Sequence, residues 1–248
     1  NNCNKNIFQI IESKDRQDTI EFMNLTEFVD LIIPRGGKGL IQTLVDNSKV
    51  PFILDGDGNV HLYIHQDAKK EHIIDIVINS KVQRPGVCNA LETLLINSEI
   101  YQDMGSLIIE ELLENKVELF VDKKIKEEFP NLNLANESHY ETEFLDLKLA
   151  VKVVDSVDQA IEHIKVYSSG HTEAILTESK EVAETFAKSI DSSVIFINSS
   201  TRFTDGEMFG FGSEIGISTQ KLHVRGPMGL EALTNERYVV TGEGTVRG

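Results

Sequence analysis

The feature that most limits what this chain can fold into is a repeated switch of hydrophobic period between two and 3.6 residues. Strand-like apolar runs fall at 60–64, 90–96, 117–121, 149–153, 172–176 and 194–197. Between them, segments 71–82, 107–113, 160–164 and 179–190 carry helical spacing. Strands joined through helices by short connections must cross over and run parallel, so the expected fold is α/β, a mostly parallel sheet with flanking helices. Upstream, Asp15–Leu25 suits a helix, and Phe28–Pro34 reads as a buried strand ending at the glycine turn Gly36–Gly39. Leu40–Val45 has helical spacing. Pro51–Leu54 reads as a strand joined to 60–64 through a hairpin turn, Asp55-Gly56-Asp57-Gly58-Asn59. Residues 127–142 are polar without a period and read as a surface excursion. Ser156-Val157-Asp158-Gln159 has the spacing of a capping box, and Arg237–Gly242 is strand-like.

Composition narrows the function classes. A net charge of −16 over 248 residues repels phosphate backbones and argues against nucleic-acid binding. No run of about 20 apolar residues occurs, so no membrane span is expected. Cys3 and Cys88 are too far apart in sequence to suggest a disulfide framework. With no signal peptide in view, a cytoplasmic setting is expected. The chain opens without Met on the polar stretch Asn1–Lys5, which reads as the interior of a longer protein.

Several residues could carry chemistry. Cys88 occupies a sharp connection, Lys81-Val82-Gln83-Arg84-Pro85-Gly86-Val87-Cys88-Asn89, between a helix and a strand. A nucleophilic thiol needs a positive environment, which Lys81 and Arg84 could supply, with backbone N–H groups of the turn to hold an oxyanion. The competing reading is a packed core cysteine. Cys3, in a polar terminus, reads as inert. Gly36-Gly37-Lys38-Gly39 stands between a strand and a helix, either as a phosphate cradle or as a plain tight turn. His61 and His65 lie on a strand, out of helical register, and no Cys/His cluster joins them, so no metal site is expected. His171, in a loop before a strand, is either a ligand contact or a solvated side chain. The hydroxyl- and glycine-rich stretch from Asn198 to Arg225 begins where a strand ends, at the carboxyl edge where open α/β sheets bind ligands. Its Ser, Thr and Arg side chains suit a small anion.

Together, Val29–Gly37, Gln83–Leu95, Gly170–Ala174, Ser200–Gly206, Glu214–Thr219 and His223–Leu233 resemble, in order, the motifs of the gamma-glutamyl phosphate reductase family. This is the proline-biosynthesis branch of the aldehyde dehydrogenase superfamily. The resemblance implies an aldehyde-dehydrogenase-like fold lacking the N-terminal part of the cofactor domain. Residues 1–76 would be the remainder of that NADPH-binding domain, 77–222 the catalytic domain, and 223–248 a return segment with an oligomerisation strand. It implies NADPH-dependent reduction of L-glutamyl 5-phosphate to L-glutamate 5-semialdehyde through a thioester on Cys88. Arg35, Gly36, Gly37 and Glu143 would lie against the cofactor. Arg84, Asn89, His171, Asn198, Ser200, Thr201 and Arg202 would contact substrate. Hydrolytic aldehyde dehydrogenases carry a glutamate base where this chain has Leu54-Asp55-Gly56, in keeping with a reaction that activates no water. A homo-oligomer and functional coupling to glutamate 5-kinase are also implied. Two alternatives stand beside this reading: an inactive scaffold subunit, or a superfamily member reducing a different acyl phosphate. The expectation for this piece is a competent thiol domain that binds NADPH poorly.

Overall fold

Three strands at the centre of one sheet are buried along their whole length, which explains their unbroken apolar runs. The structure, a computed structural model, describes residue 4, residues 6–54 and residues 56–248. Cys3 and Asp55 lie outside the described residues. The chain divides into two compact units, Asn1–Asp55 and Gly56–Gly248.

The first unit contains α1 (Arg16–Phe22) and α2 (Lys38–Asn47). Asp15 caps α1 through its carboxylate, which accepts from the Gln17 N–H at 2.9 Å. The strands expected at 28–34 and 51–54 reduce to one parallel bridge, Ile32 to Phe52. An apolar run becomes a strand only when a neighbour completes its hydrogen-bond ladder, and here Phe28 is left exposed.

The second unit runs β1 (Val60–Ile64), α3 (Lys70–Val82), β2 (Leu91–Asn97), α4 (Ser98–Glu114), β3 (Glu118–Val121) and α5 (Lys123–Glu128). It continues through β4 (Asn133–Leu134), α6 (Glu137–Tyr140), β5 (Lys148–Val154), α7 (Val157–Tyr167), β6 (Thr172–Leu176), α8 (Lys180–Ser189) and β7 (Val194–Ile197). These seven strands form a parallel sheet in the order β4-β3-β5-β2-β1-β6-β7. A short antiparallel pair, β8 (Gly216–Ser218) and β9 (Gly226–Met228), follows. Side chains alternate between the faces. Leu62, Ile64, Leu94 and Ile96 pack with α3, α4 and α5, while Tyr63, Leu95 and Ile175 pack with α7 and α8.

Four differences from the sequence reading have physical causes. The break between units falls at 55/56 rather than 76/77, because β1 and α3 build the sheet. Residues 56–59 form no hairpin turn, since among the described residues β1 pairs only with β2 and β6, both parallel to it. The polar excursion at 127–142 holds β4 and α6, stretches too short for a period to show. Residues 237–242 form no strand, and Tyr238, Val239 and Val240 are exposed. Among the described residues no helix is long and apolar enough to cross a membrane.

Candidate active site

Because all seven strands run parallel, the segments that enter them gather at one edge. Cys88 and Asn89 lead into β2, Gly58 into β1, Glu143 and Leu145 into β5, and His171 into β6. Cys88 therefore stands at the amino edge of the sheet, half-buried. Gly58 lies against it so tightly that a Cβ there would sit 1.6 Å from the Cys88 carbonyl oxygen. Only glycine permits that approach of two backbones.

The hydroxyl-rich stretch reaches Cys88 by crossing from the opposite edge. It starts at the carboxyl end of β7, where Asn198, at φ +54°, accepts from the Thr177 N–H at 2.9 Å and donates to the Thr177 carbonyl at 2.8 Å. It then follows the end of α3. Ser200 Oγ donates to Asn79 Oδ1 at 2.6 Å and accepts from Ser80 Oγ at 3.1 Å. Thr201 Oγ1 donates to the Asn89 carbonyl at 2.8 Å, and Asn89 Nδ2 donates to the Thr204 carbonyl at 2.7 Å. Thr204 and Thr172 share a hydroxyl contact of 2.9 Å. The carboxyl-edge expectation thus holds for Asn198 alone, and the loop's business end lies at the amino edge.

This network sorts the expected substrate residues. Asn89, Ser200 and Thr201 are buried, their side chains engaged in clamping the Cys88 loop. His171 is neither solvated nor at the surface. Its ring is fully buried, Nδ1 lies 2.8 Å from Thr172 Oγ1, and burial pulls its pKa from 6.5 down to about 4. Asn198 is spent on Thr177. Arg84 is exposed on the Cys88 loop, and Arg202 Nε donates to Gln83 Oε1 at 2.8 Å. Burial, then the repulsion of nearby Arg84, hold the Arg202 guanidinium below the usual arginine value, while Cys88 and Asp205 act the other way. A guanidinium that interacts with a thiol, as Arg202 does with Cys88, is an arrangement suited to a thiolate or an incoming anion. A groove of about 520 Å3 between α3 and α4 shares Asn79 and Gln83 with this network, but Cys88 does not line it.

Lys81, expected to favour the thiolate, does something else. It is fully buried and pairs at 2.8 Å with the equally buried Glu92. Burial draws both toward their neutral forms, Lys81 down and Glu92 up, and their mutual attraction opposes that pull. Removing one partner of such a pair strands a charge in the core, at about 3–5 kcal/mol. The signal for this pair was present in the sequence. Glu92 interrupts a strand otherwise fit for complete burial, and Lys81 follows Val77 at i+4 on the inward face of α3.

Of the residues expected at the cofactor, Glu143 accepts from the Gly58 N–H through Oε1 at 2.7 Å. Arg35, Gly36 and Gly37 lie exposed in the first unit. Gly37 caps α2 without a side-chain bond, and a Cβ at Gly37 or Gly39 would meet nothing within 4 Å. That helix start is open to a phosphate group, so these residues fit a dinucleotide in kind. Among the described residues, no three His, Cys, Asp or Glu side chains group as metal ligands would.

No family model matches the chain. It is 51% identical over 239 residues to gamma-glutamyl phosphate reductase of Thermoanaerobacter pseudethanolicus, covering 96% of this chain and 58% of the relative. The reductase of Listeria welshimeri is 48% identical with the same coverage. The crystal structure of gamma-glutamyl phosphate reductase from Thermotoga maritima superposes with a TM-score of 0.92 at 47% identity, over 96% of this chain and 57% of that one. An acetylating aldehyde dehydrogenase from Geobacillus thermoglucosidasius shares the fold, with a TM-score of 0.71 at 18% identity over 94% of this chain and 61% of that one. The chain spans just under three fifths of the length of the curated relatives it matches. Along 96% of its residues the chain is similar to gamma-glutamyl phosphate reductases, near one half identical in sequence and alike in fold.

Proposed function

We propose that Cys88 is the nucleophile of an NADPH-dependent reduction of L-glutamyl 5-phosphate to L-glutamate 5-semialdehyde and phosphate. The observation that carries this reading is the seating of Cys88, clamped between Gly58 and the Asn89–Thr204 network with the guanidinium of Arg202 acting on it. The thiolate attacks the acyl carbon, a C–S bond forms, and the C–O bond to phosphate breaks. Arg84 and Arg202 stabilise the departing phosphate, which takes a proton from water as it leaves, and backbone N–H groups of the loop stabilise the carbonyl oxygen as it gains charge. A bound reduced nicotinamide supplies the hydride. The Cys88 sulfur then leaves as thiolate, releasing the aldehyde.

In this reading Arg35, Gly36, Gly37 and Glu143 hold the cofactor. The buried Asn89, Ser200, Thr201 and His171 serve the substrate by holding the walls of its site. A cytoplasmic homo-oligomer, coupled in function to glutamate 5-kinase, belongs to the same proposal.

Intact-mass measurement tests it, with L-glutamyl 5-phosphate generated in place by a glutamate 5-kinase from glutamate and ATP. The expected product is one acyl adduct on Cys88, removed by hydroxylamine and lost in Cys88→Ser. Acylation that is undiminished in Cys88→Ser overturns the assignment.

A further inference from the structure

The ion pair between Lys81 and Glu92 has no part in the chemistry above, yet it straddles the thiol. Lys81 lies in the last turn of α3 and Glu92 near the start of β2, so the contact between them closes the loop that carries Cys88. Buried ion pairs are a weak source of stability, because desolvation offsets most of their attraction, and well-packed apolar residues often do better. What Glu92 supplies is placement. The second oxygen of Glu92 accepts from the Leu145 N–H at 3.2 Å. Leu145 has φ +52°, a left-handed conformation that a leucine keeps only when its surroundings hold it there. In that pose the Leu145 carbonyl oxygen comes within 3.6 Å of where a Cβ on Gly86 would stand, against the Cys88 loop. Two residues earlier, Glu143 accepts from the Gly58 N–H, and Gly58 presses on the Cys88 carbonyl.

We propose that Glu92 is a positioning residue for Cys88: buried beside Lys81, which compensates its charge, it holds Leu145 through the Leu145 N–H, and segment 143–145 in turn seats the Cys88 loop against Gly58. The proposal rests on Cys88 being the reactive thiol. It adds that the thiol's reactivity depends on an acceptor at position 92 for the Leu145 N–H.

Two double variants separate placement from charge. Lys81→Met with Glu92→Gln removes the ion pair and keeps an oxygen for the Leu145 N–H, whereas Lys81→Met with Glu92→Leu removes both. Alkylation of Cys88 by iodoacetamide is followed by peptide mass, with Cys3 as internal reference. The Gln variant is expected to stay within about threefold of wild type, and the Leu variant to slow at least about tenfold, which corresponds to about 1.4 kcal/mol. Equal rates in the two variants, beside a fast wild-type thiol, overturn the proposal alone. A wild-type Cys88 no faster than Cys3 overturns the nucleophile reading and this one with it. Should the Leu variant fail to fold, hydrogen exchange on the wild-type chain decides. Leu145 is expected to exchange at least about 100-fold slower than an open-loop amide, and exchange at the open-loop rate overturns the proposal.

Discussion

Position 58 shows what single residues decide in this chain. From the sequence, Gly56-Asp57-Gly58 has the composition of a turn, and turn glycines are commonly read as supplying positive φ. Gly58 serves a different need, since the Cys88 carbonyl occupies the space a side chain would fill. Gly58→Ala is expected to lower stability by about 1–3 kcal/mol through overpacking and to slow alkylation of Cys88, because relief must come from moving its loop. Urea unfolding and thiol labelling on the same preparation check both effects. Cys88 was legible as a candidate from its connection and its block of neighbours. Its surroundings were not, because Gly58 against it, Glu143 on Gly58 and Thr204 on Asn89 come together across long sequence separations that no local pattern encodes.

At the scale of elements, local chemistry and tertiary demand agree wherever caps are concerned. Ser156 Oγ accepts from the Gln159 N–H at 3.2 Å as the capping pattern requires, although the Gln159 side chain returns to the Asp155 N–H rather than to Ser156. Asp122 does two jobs. It caps α5 by accepting from the Ile125 N–H at 2.9 Å, and its other oxygen accepts from the Val153 N–H of β5 at 2.7 Å. Asp122→Ala should therefore cost about 2–3 kcal/mol, a cap plus a charged hydrogen bond to a strand. Asp122→Asn should recover part of that loss, and the urea midpoints of the two variants measure the difference. Elements failed to match expectation where a partner was needed. Residues 28–34 and 237–242 have strand composition, yet the first makes one bridge and the second none, since a strand exists only through its neighbour's donors and acceptors.

For the molecule as a whole, parallel topology collects the strand entrances at one edge, where His61 and His171 are buried, and His163 is buried against His61. Burial pulls His171 from 6.5 to about 4 and His163 to about 2, so the native state holds both neutral where the unfolded chain protonates them. The unfolded state then binds more protons, and stability is present above about pH 6.5 and lost as pH falls toward the folded values. His171 alone accounts for a loss of up to about 3 kcal/mol between pH 6.5 and 4. Urea midpoints at pH 7 and pH 4.5 should show that fall, and His171→Asn should flatten its upper part while leaving the share due to His163.

The sequence by itself determined the α/β class, the placement of every central strand and the suspicion that fell on Cys88. Each of these follows from periodicity, or from a block of residues contiguous along the chain. Which edge of the sheet Cys88 occupies came from strand pairing. Only the tertiary structure turned Asn89, Ser200 and Thr201 into clamps, His171 into a buried neighbour of Thr172, and Lys81 into the partner of Glu92. The physical reason is that a side chain's chemistry depends on its solvent and its neighbours, and both were set by the pairing of strands far apart in sequence.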